Sequence, residues 1–248
     1  MKSISQDQVN FYNRTGYLIV DNVLSQDEIK ELGSITDTFV EKSKNITEHN
    51  EDFDIEPGHS KENPKLRRIK KPEKQHPIYE KTLKHSGILD VVEDLIGPNI
   101  RTLGGKLNMK APGGGAQVEW HTDWAFYPHT NDDLIAIGIY LEDCYEKNGP
   151  LKVIPGSHKL KIFDHHQNGY FVGKINTKKE KINTKKSVSL VGAAGSVTFH
   201  HVRTLHSSAL NLTKNFRPLL LYGYSSVDSW PVYYDQDSSI NPNINLKG

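Results

Sequence analysis

The sequence predicts a mainly β protein, a sandwich or barrel with α-helices in front of it. Three observations carry this. From about residue 100 short apolar, β-type runs follow one another (LNMKA, VEWHTDW, LIAIGIYLE, LKVIPG, SVSLVG, SVTFHH, SALNL, PLLLYGYSS). Turn signals separate them, at Gly113 to Gly115, Asn148-Gly149-Pro150, Pro155-Gly156 and Gly192 to Gly195. Helical periodicity is confined to the stretch before them, so the strand–helix alternation of a parallel doubly wound sheet is missing.

Taken in order, GYLIVDNVL follows a glycine and reads as a strand. The segment SQDEIKELGSITDTFVEK then carries Ile29, Leu32, Ile35 and Phe39 at spacings of three and four, one apolar stripe on a helix. Ser25 followed three residues later by Glu28 is a capping-box pattern for its start. Residues 43–75 are polar, charged and interrupted by prolines, which predicts a long loop, and loops of that length are functional or disordered. A second helix is expected at about 77–96, with Ile88, Leu89, Val91, Val92, Leu95 and Ile96 on its buried side and Gly97-Pro98 ending it. The expected organisation is a single domain over 1–248, with a helical part over about 1–99 and a β core over about 100–230.

Composition narrows the function classes. Lys plus Arg total 31 and Asp plus Glu 30, a balance that argues against general nucleic-acid binding. A single cysteine, Cys144, excludes an internal disulfide and any Cys-rich zinc or iron–sulfur site. The opening MKSISQDQVN has no apolar h-region, and the longest apolar runs fall far short of the roughly 20 residues of a membrane span. The expectation is a cytoplasmic protein that uses neither nucleic acid nor membrane. No GxGxxG fingerprint or P-loop is present. KINTKK occurs twice, at 174–179 and 181–186; a solvated loop is the plain reading and a basic rim for an anionic substrate the functional one. Arg67, Arg68, Lys70 and Lys71 form a second basic cluster, read the same two ways.

The chemistry concentrates at one motif. His121 and Asp123 stand two apart in a β-type run, where residues i and i+2 share a face and are able to grip one ion together, while Thr122 and Trp120 face the other side. A third ligand from a late strand would complete the set. His206 in VRTLHSSALNL is the candidate; His200 and His201 are alternatives, though in TFHH they point to opposite faces. Two histidines and a carboxylate on one side of an ion leave positions open opposite, the facial arrangement of non-haem Fe(II) oxygenases. Arg217, eleven residues after His206, suits a bidentate grip on a carboxylate, which suggests a 2-oxo acid cosubstrate.

With HTDWAFYPHTNDDL, NGPLKVIPGSHK, GSVTFHH and the His206-to-Arg217 spacing in order, the chain resembles the phytanoyl-CoA dioxygenase-like Fe(II)/2-oxoglutarate oxygenases, most strongly over about 104–225. The resemblance implies a double-stranded β-helix (jelly-roll, cupin-like) core, with iron held at its wide end by His121, Asp123 and His206. It further implies Arg217 on the distal carboxylate of 2-oxoglutarate, with Ser208 adding a hydroxyl there and Lys110 in NMKAPGGG also binding the cosubstrate. Thr122 stands where relatives more usually carry glutamine, and Ile139 where some carry tryptophan, so neither of those cosubstrate contacts is expected. The implied reaction consumes 2-oxoglutarate and O2, releases succinate and CO2, and hydroxylates a small substrate. Related halogenases have a small residue where Asp123 stands, so the carboxylate favours hydroxylation. Trp124, Phe126 and Tyr127 either line the substrate pocket or join the core, and the basic residues favour an anionic substrate.

Two other classes compete. A jelly-roll that holds a metal or ligand without turnover would not need Arg217 and Lys110. A zinc hydrolase also uses two histidines and an aspartate, but no general-base glutamate flanks the ligands here and Arg217 is left without a task. Substrate identity and oligomeric state are not legible.

Overall fold

A computed structural model describes residues 1–112 and 117–232 and the backbone of Asn245–Lys247; the expected glycine turn at 113–115 lies outside the described residues. The chain opens with a helix that apolar periodicity does not reveal. In α1 (Gln6–Thr15) only Tyr12 is buried, and the helix is set by its ends: a Ser5/Gln8 capping box and Gly16 in the left-handed region at φ 81°. Strand β1 (Tyr17–Val20) follows as expected, then α2 (Gln26–Ser43), whose Ser25 amide donates to Glu28 Oε2 at 2.9 Å. Ile29, Leu32 and Phe39 of the predicted stripe are buried, and Ile35 packs against the same core at its margin.

Residues 43–75 are not one long loop. They hold β2 (Phe53–Ile55) and β3 (Leu66–Lys70), an antiparallel hairpin, and the short helix α3 (Pro72–Gln75). The segment is polar because the hairpin joins a sheet edge with one face lining an interior cleft, so it lacks an apolar face on that side. The helix expected at 77–96 is two: α4 (Pro77–Leu83) and α5 (Ser86–Ile96), separated where His85 turns extended (φ −62°, ψ 124°). In α5, Ile88, Leu89, Val91 and Val92 are buried, while Leu95 and Ile96 only flank the core.

The β core comprises β4 (Ile100–Lys110), β5 (Val118–His121), β6 (Leu134–Tyr140), β7 (Leu151–Val153), the two-residue β8 (His166–Gln167) and β9 (Tyr170–Phe171), β10 (Val188–Leu190), β11 (Val197–His201), β12 (His206–Ser208), β13 (Arg217–Ser226) and β14 (Asn245–Lys247). The late strand read at SALNL thus begins earlier, at His206. The large sheet runs β1-β11-β6-β13-β4-β3-β2, with β14 on β4; the small one runs β10-β7-β12-β5. Every recorded pairing is antiparallel, as a jelly-roll requires.

Strand alternation divides the large sheet's two faces by chemistry. Leu107 and Met109 of β4, Leu220 and Tyr222 of β13, Ile137 and Ile139 of β6, and Val197 and Phe199 of β11 pack with the helices in the main core. Ile139 therefore points away from the cleft between the sheets. Lys106, Asn108 and Lys110, Arg217, Leu219 and Leu221, Gly138 and Tyr140, and Thr198 and His200 alternate with them and line the opposite, inner face. Buried tyrosines fasten the helices to the sheet: Tyr222 donates to Tyr79 O at 2.7 Å and Tyr224 to Leu83 O at 2.8 Å. Leu83 closes α4, where a carbonyl lacks a helical partner. Tyr224→Phe should therefore destabilise the protein by about 1–3 kcal/mol, the cost of an unpaired buried acceptor, read as a lower denaturation midpoint with unchanged slope.

Candidate metal centre

Strand β5 ends at His121, and Asp123 opens a short 3-10 turn rather than continuing the strand. The two side chains still meet because Thr122 between them keeps extended backbone (φ −120°, ψ 142°). His206 begins β12 on the neighbouring strand, directly paired with His121, and the two rings lie 4.1 Å apart between centroids. Ligand atoms of His121, Asp123 and His206 all lie within 4.8 Å of one another.

The hydrogen bonds define which atoms face inward. His121 Nδ1 is 2.8 Å from Glu119 O and His206 Nδ1 is 2.9 Å from Thr204 O. A carbonyl only accepts, so each Nδ1–H donates and each Nε2 carries a lone pair. Asp123 Oδ1 faces those two lone pairs at 3.8 and 3.7 Å. Its other oxygen accepts from His200 Nε2 at 3.3 Å. Burial pushes the Asp123 carboxyl up, but His206, His200 and His121 pull it further down, well below the ordinary carboxylate range. Burial also pushes both His121 and His206 down, so they stay neutral at pH 7. Three electron-rich atoms thus converge with no proton among them, a donor set that fits a divalent cation. Two donors about 2.1 Å from one ion stand at most about 4.2 Å apart, which the 3.7 and 3.8 Å separations satisfy.

Of the alternative third ligands, His200 faces inward but is spent on Asp123 Oδ2, and His201 points away toward Asp132 and His158. Sequence reasoning weighed His200 as a ligand and missed it as a support; strand alternation alone does not tell which of two adjacent histidines faces the cleft. Thr122 turns to the other side, where its amide donates to His165 Nε2 at 3.0 Å. Of the aromatic residues, Phe126 is half exposed and packs T-shaped on the His121 ring at 5.7 Å, and the Tyr127 phenol is pushed up by burial and by the nearby Asp123 charge.

Arg217 and Lys110 are cross-strand partners at one end of the inner face. Arg217 is 3% exposed and donates to Gly149 O through Nη2 at 2.9 Å, while its Nε and Nη1 are buried with no protein partner. Lys110 Nζ donates to Ala209 O, and desolvation together with the Arg217 charge pushes its ammonium down to about 7. Ser208 is buried two residues beyond His206 on the same strand face, toward Ala209. The basic residues 67–71 divide: Arg68 and Lys70 sit on the hairpin against Asp54, at 3.2 and 2.9 Å. The KINTKK copies form largely exposed turns beside the small sheet, as a solvated loop predicts. No helix of the described residues is long and apolar enough to cross a membrane.

Comparison with known proteins agrees with this geometry. The model of the phytanoyl-CoA dioxygenase (PhyH) family matches residues 12–219. A probable alpha-ketoglutarate-dependent hypophosphite dioxygenase of Stutzerimonas stutzeri is 35% identical over 230 residues, 91% of this chain and 80% of that protein. An ectoine dioxygenase of Bordetella parapertussis is 25% identical over 251 residues, covering 92% of this chain and 77% of the relative. Among solved structures, iron-bound EctD from S. alaskensis superposes with a TM-score of 0.81 at 21% identity, over 98% of this chain and 86% of that one. The epimerase SnoN, in complex with Fe3+ and alpha ketoglutarate, gives 0.75 at 18% identity over 97% and 93%. The last two likenesses speak for the fold; the family match and the 35% relative speak for descent, and the chain belongs to the phytanoyl-CoA dioxygenase family.

Proposed function

We infer that the protein is an Fe(II)- and 2-oxoglutarate-dependent dioxygenase that hydroxylates a small anionic substrate. His121, Asp123 and His206 are its iron ligands. Arg217, Lys110 and Ser208 bind the cosubstrate. The observation that carries this reading is the pairing of two features in one cleft: three unprotonated donors converging at one point, and behind them a buried guanidinium with two nitrogens unsatisfied. A buried charged donor without a partner is costly, and a carboxylate accepting from Nη1 lowers that cost. A metal-storing jelly-roll would have no use for it, and a zinc hydrolase would leave it unanswered.

Iron bound here supplies the activation of O2 that 2-oxoglutarate drives, with one oxygen atom ending in succinate as CO2 leaves and the other in the substrate's new hydroxyl. The protein's share is placement. His121 and His206 present Nε2 because backbone carbonyls hold their Nδ1–H. His200 fixes one oxygen of Asp123 so that the other faces the ion. Hypophosphite, named for the 35% relative, is the first substrate to test, one P–H bond becoming P–OH. The defining experiment measures O2 uptake and succinate with Fe(II), 2-oxoglutarate and a panel of hypophosphite, phosphonates, carboxylates and ectoine. Substrate-stimulated succinate formation is expected; a protein that binds neither Fe(II) nor 2-oxoglutarate overturns the reading.

Metal affinity should track the assigned contacts. His121→Ala, Asp123→Ala and His206→Ala each lose measurable Fe(II) binding, while His200→Ala weakens it about 10–100-fold, as loss of a ligand's supporting hydrogen bond does. His201→Ala, which points away, should leave a Co(II) or Fe(II) titration unchanged.

Lys110 makes cosubstrate binding proton-linked. In the unfolded chain its ammonium titrates at the ordinary 10.5, and in the folded protein near 7. Between those values the unfolded chain holds more protons, so the contribution of Lys110 to stability rises with pH across that window. A dicarboxylate beside it restores the ammonium. At pH 8 binding of 2-oxoglutarate should therefore take up close to one proton, measured by calorimetry in buffers of different ionisation enthalpy. Lys110→Met should abolish the uptake.

A further inference from the structure

The inner face of the large sheet carries a second basic group besides the Arg217–Lys110 pair. Lys106 lies on the same face of β4, four residues from Lys110, or about 13 Å along an extended strand. Beside it on β3 are Arg68, register partner of Asn108, and Lys70, register partner of Lys106. Asn108 Oδ1 accepts from Arg68 Nε at 3.2 Å, and Asp54 accepts from Nη1 at 3.2 Å, which fixes the guanidinium plane. Lys70 turns to Asp54 and to Asn50 O. Lys106, by contrast, has no hydrogen bond or ion pair among the described residues.

Register places Lys106 on the sheet face that carries His200, three strands across from it. It pairs with Leu221, which pairs with Gly138, which pairs with Thr198, two residues from the His200 that holds Asp123. Lys106 is exposed, yet protein encloses its ammonium enough that desolvation pulls it down; the Asp123 charge opposes that shift and the Arg68 charge adds to it. Lys106 and Arg68 are thus neighbours on adjacent strands of the inner face, the face that also carries His200.

Charge counting gives it a task. A ferrous ion with Asp123 leaves one positive charge, and a doubly negative cosubstrate between Arg217 and a protonated Lys110 leaves that unchanged. Asp54 is shared by Arg68 and Lys70, so that cluster keeps one positive charge of its own. Lys106 adds a further positive charge on the same face, and such an accumulation is repulsive unless an anion offsets it.

Resting on the iron and 2-oxoglutarate reading above, we propose that Lys106 and Arg68 clamp the substrate's anionic group, a compact oxyanion, at the open side of the His121–Asp123–His206 centre. Lys106 supplies a point charge and Arg68 its remaining Nη2 edge, while Asn108 positions Arg68. The substrate class is a small phosphorus or carbon oxyacid whose oxidisable hydrogen lies within a bond or two of the charged oxygens.

The test is equilibrium binding without turnover. The full chain, loaded with Fe(II) and 2-oxoglutarate under anaerobic conditions, is titrated by calorimetry with phosphite, methylphosphonate, acetate and, as a neutral control, acetamide. At least one oxyanion should bind and acetamide should not; preference for phosphite and methylphosphonate over acetate identifies the phosphorus oxyacids, and the reverse the carboxylic ones. Lys106→Met and Arg68→Met should each weaken that oxyanion about tenfold or more, the loss of one charge-assisted contact, with 2-oxoglutarate affinity unchanged. Lys106→Arg should retain most of it. Because Arg68→Met also disturbs the β2–β3 hairpin, Lys106→Met is the deciding variant, with its melting temperature checked against the parent. Oxyanion binding unchanged in Lys106→Met overturns the clamp while the dioxygenase reading stands. A parent chain that binds 2-oxoglutarate but none of the oxyanions does the same, and one that binds neither Fe(II) nor 2-oxoglutarate overturns both.

Discussion

Asp123 Oδ1 and the Nε2 atoms of His121 and His206 face one another with no proton among them, and much of the local architecture exists to hold that arrangement. Like-signed partial charges at this distance repel, so the geometry persists only because each side chain is tied from behind. Backbone carbonyls of Glu119 and Thr204 hold the two imidazoles, and His200 holds the far carboxylate oxygen. The three ties come from β5, from the loop before β12 and from β11, that is, from both sheets. The small sheet carries all three donors on β5, its following turn and β12, and closing the sandwich is what brings the His200 tie to them from the large sheet.

The same sandwich explains how a chain with 35% apolar residues stays folded around a polar interior. The apolar faces that drive folding are on the outside of the large sheet, where β4, β6, β11 and β13 pack against the helices. Stability is thus drawn from the sheet–helix layer, and the inner face is released to carry Lys106, Asn108, Lys110, Arg217 and His200. Tyr222 and Tyr224, anchored on α4 carbonyls, belong to the stabilising layer although they share a strand with Arg217. One strand, read at period two, serves both purposes.

How much of this was legible follows from what is local in sequence. The β core, α2 with its capping box and the His121–Asp123 pair are short-range patterns, and the structure has them where the sequence reading places them; His206, distant in sequence, comes beside that pair as the resemblance implies. What failed depended on partners distant in sequence. The β2–β3 hairpin looks like a polar loop because its charged inner residues answer to β4, some forty residues later for Arg68 and Asn108. Lys106 attracts no notice in a run read only from Leu107, since nothing local says that its face is the metal's face. His200 was weighed as a ligand because its identity suits one, yet only the register against β6 and the turn at Asp123 assign it to support. The split between α4 and α5 hides inside continuous apolar periodicity, and only the extended backbone of His85 breaks it.

The two basic ends of the inner face differ in residue type in a way that fits their depth. The deep end uses Arg217, 3% exposed, whose charge survives burial because a guanidinium is not deprotonated at any working pH. Beside it Lys110 is already brought down to about 7 by its own burial and by Arg217, so a lysine in place of Arg217 would surrender its charge. The other end carries Lys106, more exposed than Lys110 and with a longer, more flexible stem than a guanidinium would need.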